Sequence, residues 1–557
     1  MPDKLINKAP SELHPHNAGM IAPALRRYTV HPQEMRNKIP LWRICFGRQP
    51  PRAPGVYNHR KKAAIIASFV FTTILANIGF QIHLLLHTGT QVTVPQIQTR
   101  QLTSSAPGLN MTKASVLLNL SKVPLVAPKV SEVPPVPSKV SEVPPRDIFP
   151  KQPLSEGDWV STCMSPVTKA KVFLYSAYSE DRLSRPAVLV IGAYATKSGT
   201  ALSYWLQFSN GNITVGKAEK RSSSEHWNLK YTATFFTCFY TKSDNHSRPV
   251  RIRLKETSQS CWSPAISVRT RGRVPGHPKG KFAVCVKPLH YSYDRALWFA
   301  EFIEFHRMLG VEHFFFYNHS IGPNVERLIG LYTARGLATV LPWTLEIRSQ
   351  KEIRTEGIFA SLNDCVYRCQ HHFDHVLNLD LDEFVVPRGE DSLADLVAKI
   401  RLKNTGAKAL VVRNAFFYLY WNNDTRAYGA LPEEASPRQL PYLLTQYKTR
   451  RSWRIFLPGM RSKYIVDPMS AIEVGNHRIW RFDGPKTTYN VPESDALLHH
   501  YRICEYGGFH CVLQPSVLDY TALRFNATLL RLVNAVCADA FPGAGRCPKA
   551  PPLGDPW

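Results

Sequence analysis

The chain has 557 residues and a mass of 63.1 kDa, more than one compact core accommodates, so two or more folded units are expected. Hydrophobic residues at 44% and aromatics at 11% exclude a mostly disordered polypeptide. A balance of 69 Lys+Arg against 42 Asp+Glu gives a formal charge of +27, which attracts phosphate, nucleic acid, anionic lipid or acidic glycan without choosing among them.

Residues 1–62 hold twelve Lys/Arg against three acids and end in Arg60-Lys61-Lys62. From Ala63 to Leu86 follow 24 residues with no Lys, Arg, Asp or Glu; about 20 suffice to cross a bilayer. The run begins too late and is too long for a cleavable leader. The positive-inside rule keeps the basic tail in the cytosol and sends the remainder across, as a single-pass type II anchor. This topology excludes nucleic acid as the partner of the basic bulk.

Residues 87–157 read as a stem. Eight prolines lie between Pro124 and Pro150, and Lys129-Val-Ser-Glu-Val-Pro-Pro135 recurs as Lys139-Val-Ser-Glu-Val-Pro-Pro145. Such sequence buries no core and favours extended polyproline-like spacing. Ten of the eleven cysteines lie beyond the anchor, an even number compatible with up to five disulfides in an oxidising lumen. Cys504 and Cys511 suit a local loop closure; Cys365 and Cys369, four apart on a helix, suit separate disulfides or buried thiols. Sequons begin at Asn110, Asn119, Asn212, Asn245, Asn318, Asn423 and Asn526, all on the same side of the anchor.

Over residues 158–272 short β-like runs alternate with polar turns, among them Ala170–Tyr178, Ala187–Tyr194, Tyr231–Phe239 and Val250–Leu254. They suggest a small β-rich, sandwich-like domain, with Trp205 and Trp262 either in its core or presented to carbohydrate. From Lys281 strands alternate with helices. Phe282–Val286, Val311–Tyr317, Leu337–Leu341 and His375–Leu379 read as strands. Asp294–Leu309 reads as a helix with Glu301 and Glu304 on its polar side, followed by a helix over Val325–Arg335 capped by Asn324 and a third from Thr355 to about His372. The pattern predicts an α/β fold with right-handed crossovers and a doubly wound, mostly parallel sheet.

Ligands gather at the C-terminal ends of such strands, and the fourth strand ends in Asp380-Leu-Asp-Glu-Phe384. Among nineteen aspartates a lone Asp-x-Asp carries no weight; its placement does. Two carboxylates delivered to that rim suit Mn2+ or Mg2+ bridging to diphosphate oxygens, against the alternative of a solvated acidic turn.

These residues resemble glycosyltransferase family 92. The likeness spans residues 280–515 and rests on Phe316-Tyr-Asn-His-Ser320, Asn363-Asp-Cys365, Asp380–Phe384, Pro441-Tyr-Leu443, Ser462-Lys-Tyr-Ile-Val-Asp-Pro468, Gly475-Asn-His477 and His499-His-Tyr-Arg502. Residues 516–557 are left as a C-terminal extension. The resemblance implies a GT-A nucleotide-sugar fold and an inverting transferase that moves galactose from UDP-galactose in β-1,4 linkage. With anchor, stem and sequons it implies a Golgi membrane enzyme acting on glycoprotein N-glycans, terminal galactose being the expected acceptor.

In that frame Asp380 and Asp382 would hold the metal, and His500 is a third ligand or a hydrogen-bonded structural histidine, with His499 as its rival. Lys463, Arg502 and Glu383 are candidates for the donor site, the two cations for phosphate or else as part of a solvated basic face. Inversion needs a carboxylate base on the acceptor hydroxyl; Glu473 comes first and Asp495 second, with Asp467 and Glu383 also open. A lumenal sulfotransferase would want a glycine-rich phosphate loop after the first strand, and Lys287-Pro-Leu-His-Tyr291 provides none. The remaining rival is a tethered lectin with an inactive transferase fold.

Overall fold

The computed structural model describes residues 157–549 apart from 242–246, 270–278, 425, 427–441 and 506. The tail, the apolar run Ala63–Leu86, the stem and the sequons at Asn110, Asn119 and Asn245 lie outside the described residues. Among the described residues no helix is long and apolar enough to cross a membrane.

The β-rich part holds eight strands. Seven of them close on themselves in the order Phe173–Glu180, Ala187–Ala195, Tyr231–Phe239, Ile213–Ser222, Leu202–Phe208, Pro249–Glu256 and Ile266–Arg269. The last pairs back onto the first, Ala177 opposite Val268 and Tyr178 opposite Arg269. The expected sandwich is therefore a ring, closed because Ile213–Ser222 pairs with Leu202–Phe208 through residues 213–218 and with Tyr231–Phe239 through residues 219–222. Closure removes the free sheet edges that such a domain would otherwise expose. Trp205 and Trp262 are each only half-buried, under the cations of Arg253 and Lys255.

The α/β part is built on a seven-stranded sheet in the order Ala338–Pro342, His313–Asn318, Gly280–Val286, Phe373–Leu379, Lys463–Val466, Ala409–Val412 and Thr488–Asn490. The first four strands are parallel, as predicted. Lys463–Val466 runs antiparallel to both its neighbours. A second, three-stranded sheet places Ala496–Arg502 between Glu383–Pro387 and Asn414–Tyr418. Strands buried on both faces read as continuous apolar runs, and Phe314, Phe316 and Tyr317 show no exposure.

The helices fall at Ala296–Met308, Pro323–Ala334 and Ile358–Cys369, the last preceded by a 3-10 turn over Thr355–Gly357. Two assignments at their ends change. The first helix begins at Ala296, not at Asp294, whose Oδ1 accepts the backbone N–H groups of Asn324 and Val325 at 2.8 and 2.9 Å and so caps the second. Pro323 stands at the first position of that helix, and Asn324 donates its side-chain amide to Asp294 Oδ2 instead of capping. Glu301 and Glu304 are buried, not on a polar side. Glu301 accepts the N–H groups of Leu444 and Thr445 and the Thr445 hydroxyl, whereas Glu304 takes Arg307 and the Tyr332 hydroxyl. A helix wedged between a sheet and the C-terminal helix Asn526–Ala540 has little solvent-facing side left.

Among the described residues four disulfides form: Cys163–Cys261, Cys285–Cys365, Cys504–Cys511 and Cys537–Cys547. Cys238 and Cys369 are buried thiols. The sequon asparagines Asn212 and Asn423 are exposed, but Asn318 and Asn526 are only half-exposed.

The ring and the α/β sheet share a core. Tyr175, Tyr178, Leu189, Ile191 and Phe235 pack in one cluster with Cys285, Tyr317, Trp343 and the Ile358–Cys369 helix. At its centre Asp364, fully buried, accepts the hydroxyls of Tyr178 from the ring and Tyr317 from the sheet at 2.6 and 2.7 Å, with Arg368 Nε at 2.5 Å. Burial alone would raise its pKa; Arg368 outweighs that and holds the carboxyl below the usual range.

Replacing Asp364 by Asn leaves Arg368 buried without a counter-charge. The expected cost is about 3–5 kcal/mol, read as a large fall in the thermal unfolding midpoint; an unchanged midpoint would refute the hub. Acid sensitivity follows from the buried histidines. Burial holds His306, His313 and His375 down to about 4 and His477 and His499 to about 3. Folded pKa values below the unfolded value near 6.5 mean that the unfolded chain takes up protons first. Stability should therefore fall as pH drops from about 6.5 toward 4, by up to about 1.4 kcal/mol per pH unit for each histidine. Denaturant midpoints measured across that range check it; a flat profile would contradict it.

Candidate active site

Four parallel strands end along one rim, and a cavity of about 300 Å³ opens there. Its walls come from the segment following the first parallel strand (Val286–His290, with Tyr293 and Trp298), from Gln350 and Thr355 ahead of the third helix, from Asp380–Asp382, from Leu444, and from His500, Arg502 and Ile503. Of the ten residues named from sequence for metal, donor and base, four line it: Asp380, Asp382, His500 and Arg502.

Each acid is met by a basic side chain from another element. Asp380 Oδ2 lies 3.2 Å from Lys287 Nζ and its Oδ1 3.7 Å from Lys463 Nζ. Lys463, 1% exposed at its side chain, is 3.1 Å from Glu383 Oε2, which also accepts the Asp380 backbone N–H at 2.9 Å. Lys463 thus stands behind the cavity wall and locks Glu383 instead of facing solvent. His500 Nε2 is 3.2 Å from Asp382 Oδ2, and its Nδ1 faces the Asn414 amide at 3.1 Å. Burial pulls the carboxyl of Asp380 upward, but Lys287, Lys463 and His500 together hold it well below its ordinary value. His500 does the same, more weakly, for Asp382. Glu383 goes the other way: burial, aided by repulsion from Asp380, raises it despite Lys463.

Strand alternation settles the histidine choice. In the antiparallel pairing of Glu383–Pro387 with Ala496–Arg502, His500 stands opposite Glu383 and His499 opposite Phe384. His500 therefore points to the acidic turn. His499 points into the core, stacked on Phe417 at 4.3 Å. Glu301, raised to about 7 by burial, supports the wall from behind by holding Leu444 and Thr445.

The two residues placed first as the base are elsewhere. Glu473 is fully buried against the ring, ion-paired with Arg221 and accepting the Ser224 N–H at 2.6 Å, with Arg481 at 3.7 Å. Asp495 pairs with Lys399 at 2.9 Å on a different flank. Neither lines the cavity, and a carboxylate already satisfied by arginine is a poor proton acceptor. Asp467 closes a turn through Met469 N and the Ser470 hydroxyl.

Sequence reading missed Lys287, His290, Tyr293 and Trp298. For Lys287 the signal was present: it follows a parallel strand, as Asp380 does. His290 Nδ1 lies 3.0 Å from Glu356 Oε2, a pairing across 66 positions with no local signature. The flanking backbone is strained, with Tyr291, Ser292, Gln350, Thr355 and Glu356 all at φ between 39° and 63°. Non-glycine residues held there cost of order 1–3 kcal/mol each, and such outliers gather at ligand sites.

The donor atoms fit a hard divalent cation only in part. Asp380, Asp382 and His500 offer two carboxylates and an imidazole at one rim, and Glu383 Oε1 is buried without a hydrogen bond. Yet among the described residues the single trio of ligand-type atoms within 4.8 Å of one another is Cys285, Cys365 and Cys369, two of them joined in a disulfide. Lys287 and Lys463 instead pair with Asp380 and Glu383 of the acidic turn.

Solved structures with some likeness include Staphylococcus aureus TarS 1–349 in complex with UDP, at 10% identity and a TM-score of 0.22, with 46% of this chain and 66% of that chain covered. Another is glucosyl-3-phosphoglycerate synthase from Mycobacterium tuberculosis in complex with Mn2+, UDP and glucosyl-3-phosphoglycerate, at 12% identity and a TM-score of 0.20, covering 49% and 82%. The chain thus spans just under two thirds of the TarS fragment, and at such scores neither likeness bears on the fold, which rests on the sheet order. No curated protein matches the chain. The model of glycosyltransferase family 92 matches residues 280–531, reaching past residue 515 into the final helix. Residues 280–531, the cavity with its acidic turn included, are a glycosyltransferase family 92 domain.

Proposed function

We propose that this glycosyltransferase is an inverting enzyme that moves galactose from UDP-galactose, in β-1,4 linkage, to a terminal sugar of glycoprotein N-glycans, with galactose as the expected acceptor. The observation that carries the reading is the cavity at the ends of the parallel strands, with Asp380 and Asp382 in its wall and Lys287 and Arg502 beside them. The galactose donor, the linkage and the acceptor come from the family likeness alone. A Golgi membrane location, with residues 63–86 as the anchor, belongs to the same proposal.

A bound Mn2+ or Mg2+ would neutralise the diphosphate as the nucleotide leaves, with Asp380, Asp382 and His500 as the residues to hold it. The remaining work falls to side chains already in place. Lys287 and Arg502, both lining the cavity, would offer cations to phosphate oxygens. Lys463 offsets part of the charge of Glu383 and Asp380, two buried carboxylates three residues apart. His500, held by Asn414, fixes the Asp382 carboxylate. Trp298, Tyr293 and Leu444 give the apolar walls that limit water.

The test uses the full chain in detergent with Mn2+, a panel of UDP-sugars and a galactose-terminated N-glycan, read by mass spectrometry. One added hexose from UDP-galactose alone is expected, lost on chelation. Asp382→Asn should lower transfer by about 100-fold or more, with the circular dichroism spectrum unchanged. Full transfer by a folded Asp382→Asn protein, or in excess chelator, would overturn the metal assignment. Lys287→Met should raise the KM for donor by about tenfold, the loss of one charge-assisted contact, and an unchanged KM would remove Lys287 from the donor site.

A further inference from the structure

Outside the cavity, the turn between two ring strands, Ser223–Lys230, reaches over the transferase domain. It carries Trp227, 59% exposed, although tryptophan is ordinarily among the more buried residues. The backbone goes out of its way to present it: Trp227 and Asn228 lie at φ 53° and 54°, the left-handed region that few side chains enter. The turn is pinned on both sides of the tryptophan. Asn228 N donates to His226 Nδ1 at 3.1 Å, Lys230 pairs with Glu352 at 2.8 Å, and Tyr231 N donates to Glu352 O at 2.8 Å.

Two chains of contact lead from this turn to the catalytic rim. Arg354 lies over the Trp227 ring at 4.4 Å and donates to Gln350 Oε1 at 2.6 Å; Gln350 in turn donates to the Thr355 hydroxyl, and both line the cavity. On the other side, Glu225 Oε2 accepts Trp480 Nε1 at 3.1 Å and Asn476 N at 3.2 Å. Asn476 Oδ1 accepts from Lys463 Nζ at 2.7 Å, the lysine that serves Asp380 and Glu383. The glycine at position 475 leaves room for this pair: a Cβ there would meet Glu225 Oε2 and the Trp480 indole, which would have to shift. Trp480 is itself 36% exposed. Both bonds of the Glu225 side chain fall on Oε2, and among the described residues Oε1 accepts none.

Two exposed indoles, one of them bonded to the Glu225 carboxylate two residues before the other, offer the groups that bind a pyranose. The sugar offers an apolar C–H face to an aromatic ring and hydroxyls to an acceptor oxygen. We propose that Trp227, Glu225 and Trp480 form an acceptor subsite that holds a sugar of the incoming glycan beside the cavity. The ring half then supplies part of the acceptor site of the transferase half. This subsite rests on the transferase reading for its role, but not for its ligand.

The test separates the two. The full chain in detergent is titrated with a galactose-terminated N-glycan, and separately with UDP, by calorimetry. Trp227→Ala and Trp480→Ala should each weaken glycan binding by about tenfold or more, as loss of an aromatic anchor does, while UDP binding stays within about twofold of wild type. Where an alanine variant also loses UDP binding, Trp227→Leu and Trp480→Leu decide, since they keep apolar bulk without the aromatic face. Wild-type protein that binds no glycan, or Trp variants that bind it as tightly as wild type with UDP binding intact, would overturn the subsite. Tryptophan-dependent glycan binding in a protein that transfers no sugar would sustain the subsite and remove the transferase reading instead.

Discussion

Three carboxylates within four residues, Asp380, Asp382 and Glu383, sit in low-dielectric surroundings, and the fold around them is organised by the need to neutralise them. Unpaired, they would stay protonated or push the turn out into water. Lys287 arrives from the end of the first parallel strand, Lys463 from the antiparallel strand next to the fourth, and His500 from the second sheet. Each partner belongs to a different element, so the charges close only when the two sheets are correctly docked. A site assembled this way is specific to the native arrangement, because any slip in register leaves a buried charge alone.

The ring of strands is not an appendage on that machinery. Its outer face shares a core with the Ile358–Cys369 helix and with the sheet beneath, and Asp364 ties one tyrosine from each side. Arg221 and Ser224 of the ring satisfy Glu473, and Glu225 packs into the space that Gly475 leaves. Residues quoted for the family likeness, Asn363-Asp-Cys365 and Gly475-Asn-His477, are therefore placed by partners outside the matched segment.

Much of this was legible in the sequence because it depends on local pattern. Four apolar runs separated by helical periodicity give four parallel strands, and an acidic pair at the end of the fourth gives the rim. Alternation along His499-His-Tyr-Arg502 contains the information that one histidine faces in and the other out, once the strand's partner is known. What stayed hidden depends on contacts between distant positions. Asp294 read as the first residue of its own helix and instead caps the next one, since the free N–H groups of a helix N-terminus donate to any oxygen brought to them. Glu301, Glu304 and Glu473 looked solvent-facing or reactive, but buried donors consume them. The sandwich became a ring through one strand that changes partners midway, a bend with no residue signature.

Not one of the four disulfides joins the two halves. Cys163–Cys261 closes within the ring, and Cys285–Cys365, Cys504–Cys511 and Cys537–Cys547 close within the transferase domain. Between Arg269 and Gly280 the polypeptide backbone is therefore the sole covalent link between them. A single proteolytic cut there would yield two internally cross-linked fragments held together by non-covalent contacts: the tyrosine–aspartate hub, the apolar core and ion pairs such as Arg221–Glu473 and Lys230–Glu352. In thermodynamic terms the halves are a heterodimer at the very high effective concentration that a short tether provides. They are separable by dilution only after that cut, and each could be supplied to the other in trans.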